Sequence, residues 1–255
     1  MSLLVIFSTF IKELRHVATI RTSTARIMLT IASRCWLCQQ ALNIARHGLC
    51  SLCVGHLAPI PPCCPRCGLP SDATRLACGR CLHQPPPWQA LVFAGIYQPP
   101  LSDLLLRLKF SSSPELAEPL ARLLLLLRWQ QRYREGNIVK PHIVLSVPLH
   151  LRRFRARGYN QAELLARPLA RWLGCQYLPF ALERTRATPP QQQLSESFRK
   201  RNLRHAFRCT QTLKGKHIAL IDDVVTTGST ISEVSKLLIK KDIASLQIWC
   251  ICRTL

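Results

Sequence analysis

Acidic residues are scarce in this chain. Its 255 residues contain 13 Asp and Glu against 35 Lys and Arg, which leaves a formal charge of +22 at pH 7. So large a basic excess favours anionic partners, which include nucleotides, pyrophosphate, nucleic acid and acidic membrane surfaces. The excess is concentrated between Leu151 and Arg208, where thirteen Lys and Arg accompany three acids.

Long apolar runs are lacking as well. The N-terminal stretch LLVIF is too short to span a bilayer, and the run Leu123–Leu127 lies between Arg122 and Arg128, which indicates a buried helix. A secretory signal needs a basic segment before its apolar run and a small-residue cleavage site after it, and neither is convincing here. We therefore expect no membrane span and a cytoplasmic protein.

Methionine occurs only twice, at Met1 and Met28. The first 27 residues belong to no module that their composition identifies, and Met28 stands shortly before the first cysteine. We therefore predict that residues 1–33 are an N-terminal extension, which is either disordered or lies upstream of a true start at Met28.

Cysteine, in contrast, is abundant, with thirteen residues in the chain. Eight of them form four Cys-x-x-Cys pairs, namely Cys35/Cys38, Cys50/Cys53, Cys64/Cys67 and Cys78/Cys81. Each pair places two thiolates on one tight turn, and two such pairs complete the tetrahedral shell of a zinc ion. The spacing therefore predicts two structural Zn²⁺ sites in a double zinc-ribbon module over residues 34–84, and not a disulfide framework.

The assignment of the zinc ligands leaves alternatives open. Cys63 can take the place of Cys64, and three histidines are near enough in sequence to replace a thiolate: His47, His56 and His83. The four remaining cysteines stand among apolar residues, so we predict buried thiols without function at Cys175, Cys209, Cys250 and Cys252.

The segment IALIDDVVTTGST, residues 218–230, carries the clearest functional pattern. Four apolar residues from Ile218 to Ile221 predict a buried strand that leads into Asp222 and Asp223. A loop of small residues follows before a helix begins, and it consists of Thr226, Thr227, Gly228, Ser229 and Thr230. Free backbone N–H groups and the positive end of the helix dipole favour a phosphate there. The two carboxylates are placed to bind vicinal sugar hydroxyls, or Mg²⁺ through water, so the pattern predicts a ribose 5-phosphate site.

This segment resembles the phosphoribosyl pyrophosphate (PRPP) signature of type I phosphoribosyltransferases. An apolar strand, two acids, two apolar residues and TTGST follow one another as in that signature. The resemblance implies PRPP bound with Mg²⁺, with Asp222 and Asp223 on the ribose hydroxyls and the loop from Thr226 to Thr230 on the 5-phosphate.

Residues 88–255 are predicted to form an α/β domain with the type I phosphoribosyltransferase fold. A proline-rich linker, QPPPW, separates this domain from the cysteine-rich module. Strands alternate with helices along it, which favours a doubly wound parallel sheet. The apolar stretch HIVLSVPL predicts a central strand, and ligands of such sheets bind at the carboxyl ends of the strands.

A basic segment, LRRFRARG, follows the HIVLSVPL strand and is expected to be a loop beside the phosphate site. Because arginine binds paired oxygens with its planar fork, we expect Arg155, Arg157 and Gly158 to receive pyrophosphate. The polar stretch from Glu183 to Asn202 has too little apolar content to pack. It is predicted to be either a mobile loop that closes over the site or a basic linker, and it carries Arg184, Arg186, Gln191, Arg199 and Asn202.

The order of these parts resembles the ComF family, in which a cysteine-rich zinc module precedes a phosphoribosyltransferase domain. The matching motifs are CWLC, GLCSLC, CPRCGLP and CGRC, then SVPLHLRRFRARGYNQAELLA, RTRATPPQQQLSESFRKRNLRHAF and IDDVVTTGST. The family resemblance implies a role in the uptake of DNA for transformation, or in its use as a nutrient.

Two functions follow, and they belong to different classes. In the first, the protein is a Mg²⁺-dependent phosphoribosyltransferase that hands ribose 5-phosphate to a nucleobase-like acceptor. Thr226 stands where some purine-salvage enzymes have an aspartate base, so the catalytic residues stay unassigned. In the second, it is a non-catalytic adaptor that binds single-stranded DNA or a helicase-like partner through its zinc ribbons and basic surface. The intact acid pair favours the first function, and the basic excess favours the second.

Overall fold

A computed structural model describes residues 33–72, 74–111, 113–135, 138–185 and 206–255. These residues lie in one compact unit that extends from Ala32 to Leu255. The expectations for the N-terminal extension fall outside the described residues, except at Ser33. Within the described ranges, no helix combines the length and the apolar character that a membrane span requires.

A five-stranded parallel sheet forms the centre of the unit. Its strands are β1 (Ala90–Ile96), β2 (Ile143–Ser146), β3 (Gln176–Tyr177), β6 (His217–Val225) and β7 (Ser245–Arg253), in the spatial order β1-β7-β6-β2-β3. A separate antiparallel pair consists of β4 (Leu182–Arg184) and β5 (Phe207–Cys209). The predicted α/β class with a parallel sheet is confirmed, and the HIVLSVPL strand lies inside the sheet, between β6 and β3.

Helices connect the strands and cover both faces of the sheet. The α-helices are α1 (Ser51–Gly55), α2 (Gly79–His83), α3 (Leu101–Phe110), α4 (Ala117–Glu135), α5 (Leu151–Arg157), α6 (Gln161–Leu173) and α7 (Ser229–Ile239), and 3-10 turns occupy Ala45–His47 and Pro114–Leu116. Apolar residues of α3, α4 and α6 pack in one core against one face of the sheet. Those of α7 pack in a second core against the other face. The interiors of β1, β2, β6 and β7 are therefore largely buried, as expected for a doubly wound sheet, whereas the short edge strand β3 is not.

The backbone departs from the sequence expectations at three places near the end of the sheet. The basic segment expected to be a loop is α5, because the His150 side chain accepts from the amide of Arg152 at its start and Gly158, with a φ of 84°, ends it. Arg184, expected in a mobile loop, lies in β4. The acid pair lies within β6 and not after it, because β6 stays paired with β7 as far as Val225. The rest of the expected mobile loop, residues 186–202, lies outside the described residues.

The cysteine-rich segment, residues 34–84, packs against both faces of the sheet beside β1, which is an edge strand. Cys35 and Leu49 belong to the core on the α3, α4 and α6 face. Trp88 belongs to the core on the opposite face, where Cys63 packs against it. Between the two faces, the amide of Leu91 in β1 donates to the carbonyl of Pro65 at 2.9 Å. The segment therefore covers an edge that would otherwise present unpaired backbone groups.

Gly48 brings the cysteine-rich segment into close contact with helix α4. Its φ is 63°, and a Cβ there would stand 2.1 Å from Cγ of Pro119. Gly48→Ala is therefore expected to destabilise the protein by about 3 kcal/mol, since a left-handed alanine costs about 1–2 kcal/mol and the clash adds to it. Thermal unfolding measures this change. Gly55→Ala is the control, because a Cβ on Gly55 meets nothing within 4 Å, and an equal loss in both variants would contradict the argument.

Candidate functional site: two cysteine clusters and a cavity at the end of the sheet

The eight paired cysteines gather into two clusters. Cys35, Cys38, Cys50 and Cys53 form the first cysteine cluster, and Cys64, Cys67, Cys78 and Cys81 form the second. Within each cluster the four Sγ atoms lie within 4.8 Å of one another. The clusters thus combine neighbouring pairs, as the spacing predicts. Among the described residues, neither Cys63 nor any of the three nearby histidines belongs to such a group.

The two clusters are built in the same way. The first pair of each lies on a tight turn, where the amide of Cys35 donates to Gln40 and that of Cys64 donates to Leu69. The second pair of each begins a short helix, with Cys50 at the N-cap of α1 and Cys78 at the N-cap of α2. The cysteine-rich segment therefore contains a structural repeat, each copy a turn followed by a helix.

The sulfur geometry fits a tetrahedral zinc ion. Four sulfurs at the usual Zn–S distance of about 2.3 Å are roughly 3.8 Å apart. Cys38 and Cys50 place their Sγ atoms 3.7 Å apart, and Cys67 and Cys78 place theirs 3.8 Å apart. These separations are much longer than a disulfide bond of about 2.05 Å. Each cluster therefore has the ligand type, number and spacing of a closed structural zinc site.

The pKa values of the clustered thiols also favour a bound cation. Burial raises the pKa of Cys35, but hydrogen bonds from the amides of Cys38 and Cys50 outweigh it and lower that pKa to about 6. Burial and the neighbouring thiols raise the pKa of Cys53 and of Cys81. The four adjacent thiols of a cluster therefore ionise together only when a cation binds them, and Zn²⁺ is such a cation.

A cavity of about 750 Å³ opens at the carboxyl ends of β6 and β2. Its wall includes Asp222, Asp223, Thr226 and Thr230 from the segment IDDVVTTGST. The stretch that follows β2 also lines the cavity, including Val147 and residues of α5 and α6. Such a crevice is where open α/β sheets bind their ligands.

The acid pair, Asp222 and Asp223, lines this cavity. Lys109, near the end of α3, lies with Nζ 2.6 Å from Oδ2 of Asp223. Oδ1 of Asp222 accepts from the amide of Asp223 at 2.9 Å. Burial, and then the carboxylate of Asp223, raise the pKa of Asp222 well above its usual range. A second cation, or hydroxyl donors from a ligand, would therefore stabilise the ionised pair.

Residues 226–230, named the phosphate loop for their predicted ligand, run from the end of β6 into the first turn of α7. Gly228 has a φ of 77° and forms the N-cap of α7, and the amide of Ser232 donates to its carbonyl at 2.8 Å. The hydroxyls of Thr227 and Ser229 are 2.8 Å apart and brace the turn from within. Thr226 and Thr230 line the cavity. The loop thus presents hydroxyls and a helix N-terminus to the cavity, a combination that suits an anion.

Basic side chains line the same cavity. Arg153 and Arg157 of α5 line the cavity together with Arg184 of β4. Burial, and then repulsion from Arg153, lower the pKa of Arg184. Burial also lowers the pKa of Arg157; the charge of Asp223 opposes that shift, and repulsion from Arg153 adds to it. Arginines that oppose one another's charge in this way favour a polyanion between them. Of the residues predicted for pyrophosphate, Arg157 lines the cavity, whereas Arg155 and Gly158 are not among its lining residues.

Several lining residues were not singled out by the sequence patterns. Lys109 and Phe110 end α3, and Tyr97 directly follows β1. Phe110 is 71% exposed, with the guanidinium of Arg157 5.0 Å from its ring centroid. A lysine at the end of an apolar helix gives no signal by itself. Lys109 could have been found only from the pairing of β1 with β7, because that pairing brings the end of α3 next to the acid pair.

Comparisons with known proteins give a consistent result. Residues 160–255 match the family model described as the phosphoribosyl transferase domain. The chain is 48% identical over 228 residues to the DNA utilization protein YhgH of Escherichia coli strain K12, which covers 89% of this chain and 100% of that protein. It is 47% identical over 228 residues to YhgH of Salmonella typhi, with the same shares covered. It is 39% identical over 224 residues to Competence protein F of Haemophilus influenzae, covering 86% of this chain and 96% of that protein.

Proposed function

The chain belongs to the ComF family, and we propose that it binds PRPP with Mg²⁺ in the cavity and acts in the uptake or use of DNA. Asp222 and Asp223 hold the ribose hydroxyls and reach Mg²⁺ through water. The phosphate loop holds the 5-phosphate, and Arg157 receives the pyrophosphate. Arg153 joins it there, in the role that the sequence pattern gave to Arg155.

One observation supports this proposal above the others: the acid pair shares its cavity with two elements that suit anions. The phosphate loop follows the acid pair along the chain, and Arg157 and Arg184 lie close enough to Asp223 and Asp222 for the carboxylates to counter the lowering of their pKa values by burial. PRPP has a matching distribution of groups, because its diol separates a 5-phosphate from a pyrophosphate. A ligand with one phosphate group, or with no diol, would leave part of this wall without a partner.

Calorimetric titration of PRPP with Mg²⁺ into the full-length, zinc-loaded protein tests the proposal. We expect saturable binding with one PRPP per chain, and weaker binding of ribose 5-phosphate alone and of pyrophosphate alone, since each fills half of the site. Titration without Mg²⁺ isolates the contribution of the cation. Absence of binding by protein that is folded and carries its zinc would overturn the proposal.

Transfer of the ribose 5-phosphate to a nucleobase-like acceptor is the finer part of the proposal. Its support is the exposed ring of Phe110 at the cavity wall, with Tyr97 also lining the cavity. An aromatic ring beside the ribose suits a stacked base, since such stacking contributes about 1–3 kcal/mol per base. A screen of nucleobases for pyrophosphate release from PRPP measures turnover, and the absence of release with bound PRPP would leave a binding protein.

The DNA-handling adaptor stays a second candidate because of one surface. Helix α5 exposes Arg152 together with Leu151 and Phe154, which are 55% and 42% exposed. Basic and aromatic side chains on one short helix suit a single strand of DNA, whose binding weakens as salt rises. Fluorescence anisotropy with an oligonucleotide at several salt concentrations tests this. Arg152→Ala is expected to make the negative slope of log K against log salt shallower by about 0.7.

The cellular compartment belongs to the same proposal. Thiolate clusters with this geometry persist where the environment keeps cysteines reduced. We therefore place the protein's action in the cytoplasm, where a helicase-like partner in DNA uptake would also act. Fractionation of cells that express the tagged protein tests this placement, and recovery in an oxidising compartment would contradict it.

A further inference from the structure

We propose that the second cysteine cluster holds the phosphate loop in its binding conformation, with Arg253 and Trp88 as positioning residues between the two. The phosphate affinity of the cavity then depends on the metal in a cluster whose sulfurs do not line that cavity. The identity of the ligand rests on the proposed function, but the structural link itself does not.

Arg253 is the first of these connections. It is the last residue of β7 and is 6% exposed. Its Nε donates to the carbonyl of Cys67 at 2.9 Å. Its Nη1 donates to the carbonyl of Val225 at 3.0 Å and also to that of Thr226. A guanidinium is rigid and planar, so a shift of the Cys67 carbonyl moves the whole guanidinium of Arg253. That group also binds the carbonyl of Thr226, the first residue of the phosphate loop.

Trp88 is the second connection, and it reaches the middle of the loop. Its Nε1 donates to the carbonyl of Arg66 at 2.7 Å. The Cη2 atom of the same ring stands 3.8 Å from the position of a Cβ on Gly228. Trp88 is 7% exposed, so its ring is fixed between the cluster and the loop.

The two connections start from consecutive residues of one turn. The turn between Cys64 and Cys67 offers three successive carbonyls to the rest of the protein. Their donors are, in order, the amide of Leu91, Nε1 of Trp88 and Nε of Arg253. Both ends of this turn are cysteines of the second cluster, so a shared metal ion fixes the directions of all three carbonyls. Without the ion, the turn loses the constraint that aims them.

The first cysteine cluster provides an internal comparison. It has the same construction, but Cys35 and Leu49 pack in the core on the opposite face of the sheet. Gly48, which lies between its two cysteine pairs, packs closely against Pro119 of α4. Trp88 and Val225 both belong to the other core. Loss of metal from the first cluster should therefore leave the phosphate loop unchanged.

Two conservative variants test the positioning residues. Trp88→Phe keeps a ring against Gly228 and removes the hydrogen bond to Arg66, and Arg253→Lys keeps the charge and removes the rigid fork. We expect each to weaken PRPP binding by roughly tenfold, or about 1.4 kcal/mol, with two zinc ions still bound. Amide hydrogen exchange measured without PRPP should become faster at residues 225–230. A purely structural role would speed exchange across the whole sheet instead.

Two cysteine variants test the dependence on metal. Cys81→Ser and Cys53→Ser each remove one ligand, and each is expected to leave one zinc ion per chain. Only Cys81→Ser should speed hydrogen exchange at residues 225–230 and weaken PRPP binding. In the Cys53→Ser protein, whose remaining zinc is in the second cluster, PRPP should raise zinc affinity by the factor by which that zinc raises PRPP affinity.

The outcomes separate this inference from the proposed function. If exchange at residues 225–230 follows the second cluster but no variant or wild-type protein binds PRPP, the link holds and the ligand is wrong. If PRPP binds equally well to wild type and to Cys81→Ser, the link is wrong. Equal weakening in Cys53→Ser and Cys81→Ser would also overturn it. If Cys81→Ser does not fold, the Trp88 and Arg253 variants decide.

Discussion

Replacing Asp222 and Asp223 together by asparagine is expected to weaken the binding of PRPP with Mg²⁺ by at least about a hundredfold, since hydrogen bonds to charged groups contribute about 1.5–3 kcal/mol each. Asparagine keeps the shape of each side chain and still bonds to hydroxyls, but it loses the negative charge that attracts Mg²⁺. The Lys109 ammonium, 2.6 Å from Asp223, would also lose its ionic partner. Calorimetric titration under the conditions used for the wild type measures the change.

The control for this double variant removes two negative charges elsewhere. Glu233 bonds to Lys236 on the surface of α7, and Asp242 stands beyond the end of that helix. Glu233→Gln with Asp242→Asn changes the net charge by the same amount, and neither position lines the cavity. We expect this control to bind PRPP as the wild type does. Equal loss in both double variants would show that overall charge, and not the acid pair, governs the affinity.

The single variant Asp222→Asn is expected to make the folded protein more stable at about pH 8. Because burial and Asp223 raise the pKa of Asp222, the folded protein holds this proton more tightly than the unfolded chain does. The stability that this bound proton contributes is fully present below the ordinary carboxyl pKa of about 3.9. It is lost as the pH rises through the raised pKa of Asp222. The variant should therefore melt above the wild type at about pH 8, with a gap that narrows on acidification. A constant gap would contradict this.

Removal of metal from both clusters is expected to have the largest effect on stability. Structural zinc binding amounts to roughly 10–16 kcal/mol in zinc-finger peptides, which is comparable with the whole stability of a domain. We expect two zinc ions per chain by elemental analysis. After chelation, the segment over residues 34–84 should become sensitive to protease, and the thermal unfolding transition should fall or broaden.

Cys175→Ser is the control for metal removal. Its Sγ donates to the carbonyl of Pro141 at 3.0 Å, a bond that a serine hydroxyl also makes, and it belongs to neither cluster. The variant should keep both zinc ions and the wild-type melting temperature. Wild-type protein that folds without zinc, or that keeps its melting temperature after chelation, would contradict the structural role of the clusters.

Short-range pattern was enough to locate the principal elements of this protein. Cys-x-x-Cys pairs at regular spacing predict the two clusters because each cluster uses neighbouring pairs. The run from Ile218 to Thr230 predicts a strand, a loop and a helix start, and these elements lie in that order. The run Leu123–Leu127 lies inside helix α4, as its flanking arginines indicate. In each case the determining interactions are local, or they depend on an apolar period that the sequence displays.

Long-range contacts account for the differences. The acid pair was expected beyond its strand, but pairing of Val224 with Cys252 keeps β6 extended past both carboxylates. Arg253 is 186 residues from Cys67, and no pattern in either segment indicates their hydrogen bond. The basic segment became α5 because of a histidine cap, a residue type that rarely signals a helix start. Lys109 reaches Asp223 only through the packing of α3 beside the sheet.

Through the hydrogen bond between Leu91 and Pro65, the cysteine-rich segment covers the exposed edge of the sheet at β1. A protein made from residue 88 onward would keep the cavity residues, yet β1 would lie at its margin with no neighbour on that side. A bare margin of this kind invites a strand from another molecule, and chains then join into aggregates. Deletion of the cysteine-rich segment would therefore be expected to lower the yield of soluble protein. In gene design, the two parts are best kept together.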